Sequence, residues 1–466
     1  MICMQGLYTN IQCAIAIIVL LFIVKKIDVP FRQLIFILLV FLGMFISDFI
    51  SGNDARFIYE GLKIVLLLMG ISTSELDDKK HLISGLYIGI SVASFVGIIA
   101  YLFEINLYEI INSINGTKVL QGFWGYANTT ALFCGIGIIL AIYYISCRTD
   151  FRFLHEIALL INAIALMLTR SLFGYVCLFM SFTAMFYIKT KSSRKYIIIF
   201  SFVVFTIVIG MFLTGNEEII LRSTVASRLI YWYDALLVFI KNPFGIGVHA
   251  WEGIQYAVQT ADYSVKCVHN GYIQLLLDGG IISFTGFVLL LIFGYIGLIK
   301  KYNEKNDDFY LYLTTMLTLI VLHSFVDINF AYGTVWFVIG LLLSCSKNEK
   351  NINNKIAMPI IAITIAIIAI SVPEKEYINS YSIDYQQAYN KNDLGEMNKI
   401  SAEWVKNAPR QQAAYDARYY VLDKLNDNQE LLNLQIQKDK ANNTMNFLCK
   451  YLTRHKEIVL PEVNGK

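Results

Sequence analysis

Charge is what this chain has least of. Only 16% of its 466 residues are Asp, Glu, Lys or Arg, whereas 56% are hydrophobic, and soluble globular domains carry about 25% charged residues. With a mean hydropathy of +0.56, this composition argues against an ordinary soluble enzyme. A net charge of +3 gives no reason to expect a nucleic-acid partner. The eight cysteines are scattered, with no C-x-x-C and no Cys/His group at zinc spacing, so neither a disulfide framework nor a metal centre is legible. A basic leader and a small-residue cleavage site are also missing, so residues 11–24 read as a retained membrane span.

Long apolar runs dominate what is present. About 17 to 25 helical residues cross a hydrocarbon core. Twelve runs approach that length, near 9–24, 33–50, 57–74, 82–103, 123–146, 153–169, 171–188, 196–213, 271–299, 308–328, 331–346 and 356–373. The expected fold is therefore an all-α polytopic membrane protein of about twelve transmembrane helices. Lys and Arg resist translocation, so their distribution orients the chain. Alternate connections hold seventeen of them, including Lys25, Lys26, Lys79, Lys80, Arg152, Lys189, Lys300 and Lys301, whereas the opposite short loops hold Arg56, Lys118 and Arg170. The first set is assigned to the cytoplasm. The loop at 214–270 and the C-terminal tail then lie outside.

Two domains are expected, 1–373 in the membrane and 374–466 as a polar tail with thirteen basic and thirteen acidic residues. The tail reads as helices over 381–389, 394–407, 410–425 and 428–451, broken at Asn392, Pro409 and Asn426. Short connections and apolar residues at helical spacing resemble a tetratricopeptide-like stack of hairpins, without a clean 34-residue repeat.

Ionisable residues at a membrane boundary point to function. Arg170 stands between two apolar runs with no room for a loop, on the outer side of the charge map. Its guanidinium suits bidentate binding of a diphosphate, or snorkelling to lipid phosphates. In the 214–270 loop, Arg228 and Trp232 are four residues apart and share a helix face. Asn242-Pro243 ends that helix, and Gly245 and Gly247 permit a tight turn. His269 and Asn270 open the next span, which places an imidazole, a natural general base, at the membrane interface. At the outer end of another span stand Tyr126 and Asn128, either for sugar and phosphate contact or for packing. His323, Asp327 and Asn329 lie near an outer end too, lining the same cavity or a proton path. Glu60 and Lys63, three apart in an apolar run, read as an internal ion pair.

The order Arg170, the Arg228–Trp232 helix, the Asn242–Gly247 turn and His269-Asn270 resembles the O-antigen ligase and polymerase family over roughly residues 120–345. The resemblance implies a GT-C-type membrane glycosyltransferase, inverting and metal-independent, with no cofactor. It would move a glycan from a polyisoprenyl (undecaprenyl) diphosphate to a glycan, lipid or protein acceptor outside a bacterial cytoplasmic membrane, in contact with membrane lipids. It further implies that Arg170 and Arg228 hold the donor diphosphate, that His269 takes the acceptor proton, and that Tyr126, Asn128, Trp232, Asn270 and His323 line the substrate site. The resemblance leaves ligase and polymerase open. A lipid-linked oligosaccharide transporter is the rival of another class, but it would show internal repeats, and none is evident between the two halves.

Overall fold

The computed structural model describes residues 29–51, 57–72, 76–105, 110–114, 117–147, 151–190, 194–195, 218–261, 263, 265–346, 381–407 and 412–434. The expected spans at 9–24, 196–213 and 356–373 lie outside the described residues. Among the described residues, seven helices are long and apolar enough to cross a membrane.

Through the membrane part run α1 (Phe31–Ser51), α2 (Phe57–Ile71) and α3 (Leu76–Phe103), then a hairpin of β1 (Ile111–Ile114) and β2 (Thr117–Leu120), then α4 (Ala127–Ser146), α5 (Arg152–Thr169) and α6 (Leu172–Lys189). They are followed by α7 (Glu218–Lys241) and α8 (Trp251–Val258), and by α9 (Gly271–Lys305), α10 (Asp308–Val326) and α11 (Gly333–Cys345). Two expected spans, 57–74 and 331–346, are helices of 15 and 13 residues. These two pack on each other, with Gly70 against Gly340 at a crossing where a methyl group on either would overlap the facing backbone.

Burial sorts the spans. In α4 and α10, 72% and 78% of the apolar window is buried, against 22% in α5, so α4 and α10 form the centre and α5 the rim. On the outward faces Phe31, Phe49, Leu102, Phe153 and Leu160 are exposed, which suits hydrocarbon and would be a liability in water. Up-and-down packing brings the start of α4, the α5–α6 turn, the start of α9 and the end of α10 to one end of the bundle. At the other end, Lys189 of α6 meets Asp308 of α10 at 2.6 Å.

The longest helix, α9, is broken at Gly280, whose φ of 65° and ψ of −169° are not helical. The segment after α7 wedges into the break. Leu277 O, without its usual helical partner, accepts from Ile246 N at 2.7 Å, and Ile281 N donates to Pro243 O at 2.9 Å. The Leu277 carbonyl and the Ile281 amide, which would bond each other in an unbroken helix, are thus both satisfied by the wedge. A Cβ at position 280 would overlap the Phe244 backbone, in a left-handed region that only glycine enters freely. Gly280→Ala is therefore expected to destabilise the fold by about 2 kcal/mol or more, read as a lowered unfolding temperature in detergent. An unchanged midpoint would refute the wedge.

Two features went unforeseen. The β1–β2 hairpin precedes α4, which starts at Ala127, so Tyr126 becomes its N-cap and the expected 123–146 span begins later. The 214–270 loop also contains α8, because Trp251, Gln255 and Val258 recur at helical spacing and bury against the Ala235 and Val238 side of α7.

In the tail, residues 381–390, α12 (Leu394–Asn407), α13 (Gln412–Lys424) and residues 428–434 are helical. Asn392 and Asn426 close two of these helices with positive φ. Their core is their own: Tyr381, Met397, Trp404, Tyr415 and Val421 pack together, and Arg418 crosses to Glu430 at 2.8 Å.

Candidate functional site

Asp327 is the hub of the polar end of the bundle. It follows the last turn of α10 in extended conformation and is fully buried. A buried carboxylate needs many donors, and this one has them. Tyr126 OH donates to Oδ2 at 3.1 Å, Asn128 Nδ2 donates to the same oxygen, Arg228 Nη2 reaches it at 3.4 Å, and Ile328 N donates to Oδ1 at 2.8 Å. His269 Nδ1 lies 3.7 Å from Oδ1, close enough to stabilise an imidazolium and still longer than a formed hydrogen bond. Burial alone would push the carboxyl up. The His269 imidazole and the Arg228 guanidinium outweigh it and hold Asp327 well below the usual carboxylate range. Relative to its ordinary value of 3.8, the lowered carboxyl stabilises the fold above that pH and loses the effect in stronger acid.

Backbone geometry aims the histidine. His269 has φ +53°, an uncommon left-handed conformation for a non-glycine residue. The next residue, Asn270, is the N-cap of α9, its side chain accepting from the N–H groups of Tyr272 and Ile273. Gly271 N donates to Asp327 O at 3.0 Å, so the carboxylate and the imidazole are also tied through the main chain. With Nδ1 facing Tyr126 OH at 3.4 Å and Asp327, a proton on Nδ1 leaves Nε2 as the accepting atom. The His269 side chain is 25% exposed.

Arg228 sits deeper. Its Nη1 donates to Val326 O at 2.6 Å, and the guanidinium lies 4.5 Å from the centre of the Phe173 ring. One turn on, Trp232 Nε1 donates to Val268 O at 3.1 Å, so the shared face expected for this pair is the face turned to the site.

The structure therefore brings together Arg228, His269, Tyr126 and Asn128, with Trp232 and Asn270 shaping the turn that carries His269. Arg170 is apart from them. It caps α5 with φ +52° and is exposed, and its link to the cluster is Phe173, in the first turn of α6. His323 is fully buried, its Nδ1 accepting from Asn329 Nδ2 at 2.8 Å, so it backs the site and presents no surface to a ligand. Burial of Tyr126, together with the neighbouring Asp327 charge, raises its hydroxyl well above the ordinary phenol range and keeps it a donor.

The sequence placed Asp327 near an outer end, lining the cavity or a proton path, and not as the hub. The available signal was an acid at the end of an apolar run, four residues after His323. His249 gave no signal in the sequence. It faces Glu60 Oε1 at 3.1 Å, so the Glu60–Lys63 pair, 2.7 Å apart, has a third member. Among the described residues no group of His, Cys, Asp and Glu is arranged to hold a metal ion.

A family model described as O-antigen ligase matches residues 157–288, a stretch from α5 into α9 that holds Arg170, Arg228, Trp232, His269 and Asn270. No curated protein and no solved structure matches the chain. Seven helices among the described residues are of membrane length, which makes the chain a multi-pass membrane protein, and over residues 157–288 it is similar to the O-antigen ligase family.

Proposed function

We infer that this protein is a membrane glycosyltransferase of cell-surface polysaccharide biosynthesis, acting on the outer face of a bacterial cytoplasmic membrane. Its donor is a glycan on polyisoprenyl diphosphate, undecaprenyl in the simplest case. The observation that carries this reading is the Asp327–His269 pair with Arg228 on the same carboxylate. An acceptor hydroxyl attacks the anomeric carbon, the bond to the diphosphate oxygen breaks, and the diphosphate leaves with the electron pair. The hydroxyl proton passes to His269 Nε2, and Asp327 stabilises the imidazolium formed. A single displacement inverts the anomeric centre.

Diphosphate is a competent leaving group once its charge is neutralised. Arg228 beside Phe173, and Arg170 on the same turn, supply that charge from the protein and replace a divalent cation. A chelator is expected to leave transfer unchanged, and loss restored by magnesium or manganese would contradict this assignment. For Arg170 the informative variant is Arg170→Gly, because glycine accepts the left-handed cap and the guanidinium is lost without straining the backbone. We expect transfer to fall by about tenfold or more, with insertion intact. Wild-type transfer would remove Arg170 from the site.

The tail, helical over most of its described residues 381–407 and 412–434, is assigned the role of presenting the acceptor. Ligase and polymerase differ in that acceptor. The glycan that accumulates on lipid in cells deleted for the gene separates them: full-length chains mean lost ligation, single repeat units mean lost polymerisation, and no lipid-linked glycan sinks the reading.

A further inference from the structure

A second group of buried polar side chains, unused by the proposed reaction, lies beside the N-terminus of α9. Glu60, Lys63, His249, Gln274 and Asp278 line a cavity of about 30 Å³. A space of that size admits water. The group is better understood by what it holds.

Val268, the residue before His269, has both backbone groups taken by side chains: its N–H donates to Gln274 Oε1 at 3.1 Å, and its carbonyl accepts from Trp232 Nε1 at 3.1 Å. Gln274 can offer oxygen to Val268 only if its amide nitrogen turns the other way, and Asp278 Oδ1 fixes that choice by accepting from Nε2 at 2.9 Å. The same oxygen accepts from His249 N at 3.1 Å. His249 also has left-handed backbone, φ +56°, and its ring meets Glu60, which Lys63 holds in turn. Both histidines occupy conformations that persist only where the surroundings over-determine them, and one chain of hydrogen bonds joins them.

We propose that Glu60, His249, Asp278 and Gln274 are positioning residues for His269, fixing the Val268–His269 turn from α2 through the 242–250 loop. The proposal rests on the reading of His269 as the base. A misplacement of about 1 Å can cost about 100-fold in rate without weakening binding, so these residues govern turnover and leave donor affinity alone.

The test uses the full-length protein in detergent and the lipid-linked glycan that accumulates in cells deleted for the gene. Gln274→Leu is expected to lower kcat by about 10- to 100-fold with the donor KM held within about twofold. Asp278→Asn keeps an accepting oxygen and should retain most of the wild-type kcat. Independently of activity, diethyl pyrocarbonate labelling of His269, read by peptide mass, should change by about threefold or more in Gln274→Leu, with His155 labelling as reference. Should Gln274→Leu fail to accumulate, Glu60→Gln, at the far end of the chain, is read the same way. Wild-type kcat with unchanged His269 labelling overturns the proposal, as does Asp278→Asn losing as much turnover as Gln274→Leu. Wild-type transfer by His269→Ala would instead sink the catalytic reading, and the labelling would still decide the network.

Discussion

His269→Ala is expected to lower glycan transfer by about 100- to 10,000-fold, with unchanged insertion and unchanged binding of a polyisoprenyl diphosphate. The magnitude is that of losing a positioned general base whose proton acceptance accompanies bond breaking. Nothing in the packing opposes the substitution. The side chain is partly exposed and its Nε2 carries no structural bond among the described residues, so truncation leaves no large void. Asp327→Asn should act through the same step. It keeps the shape and most accepting contacts but removes the charge that stabilises the imidazolium, and a loss of about 10- to 100-fold is expected for an outer partner of this kind. Transfer rates of the two single variants and the double variant check the link. If the residues work as a unit, the double variant is no worse than His269→Ala, whereas multiplying losses would separate them.

Arg228→Ala should be as damaging to transfer, and it should also damage the fold. Removing the guanidinium strips the fully buried Asp327 of its cation, and breaking one side of a buried pair costs about 3–5 kcal/mol. The two effects separate in a second background. Arg228→Ala with Asp327→Asn removes both charges and is expected to recover most of the stability, measured as the unfolding midpoint in detergent, and none of the transfer. Arg228→Lys keeps the charge but not the planar fork that lies on Phe173 and reaches Val326 O and Asp327 together, so partial folding with strongly reduced transfer is expected. If the double variant transfers normally, Arg228 is only the structural counter-ion of Asp327.

Periodicity and charge explain what the sequence disclosed. Apolar runs locate helices because hydrocarbon requires an internally bonded backbone, and Asn242-Pro243 ends α7 because proline cannot continue a helix. The Arg228–Trp232 face was readable from a spacing of four. Long-range pairing was not. Nothing local in Asp327 announces that Tyr126, Asn128, Arg228 and His269, separated by as many as 201 positions, converge on one carboxylate. His249 stayed hidden for the same reason, since its partners Glu60 and Asp278 come from other elements. Arg170, expected beside Arg228, lies on the α5–α6 turn, where it caps α5 in left-handed conformation and is exposed.

The break in α9 has a mechanical consequence. The wedge ties both sides of the break, Leu277 through Ile246 and Ile281 through Pro243, while 281–305 pack on α1 at Gly286. The tilt of that half is thus set by its neighbours, and the angle at Gly280 is held by the same loop whose far end leads to His269.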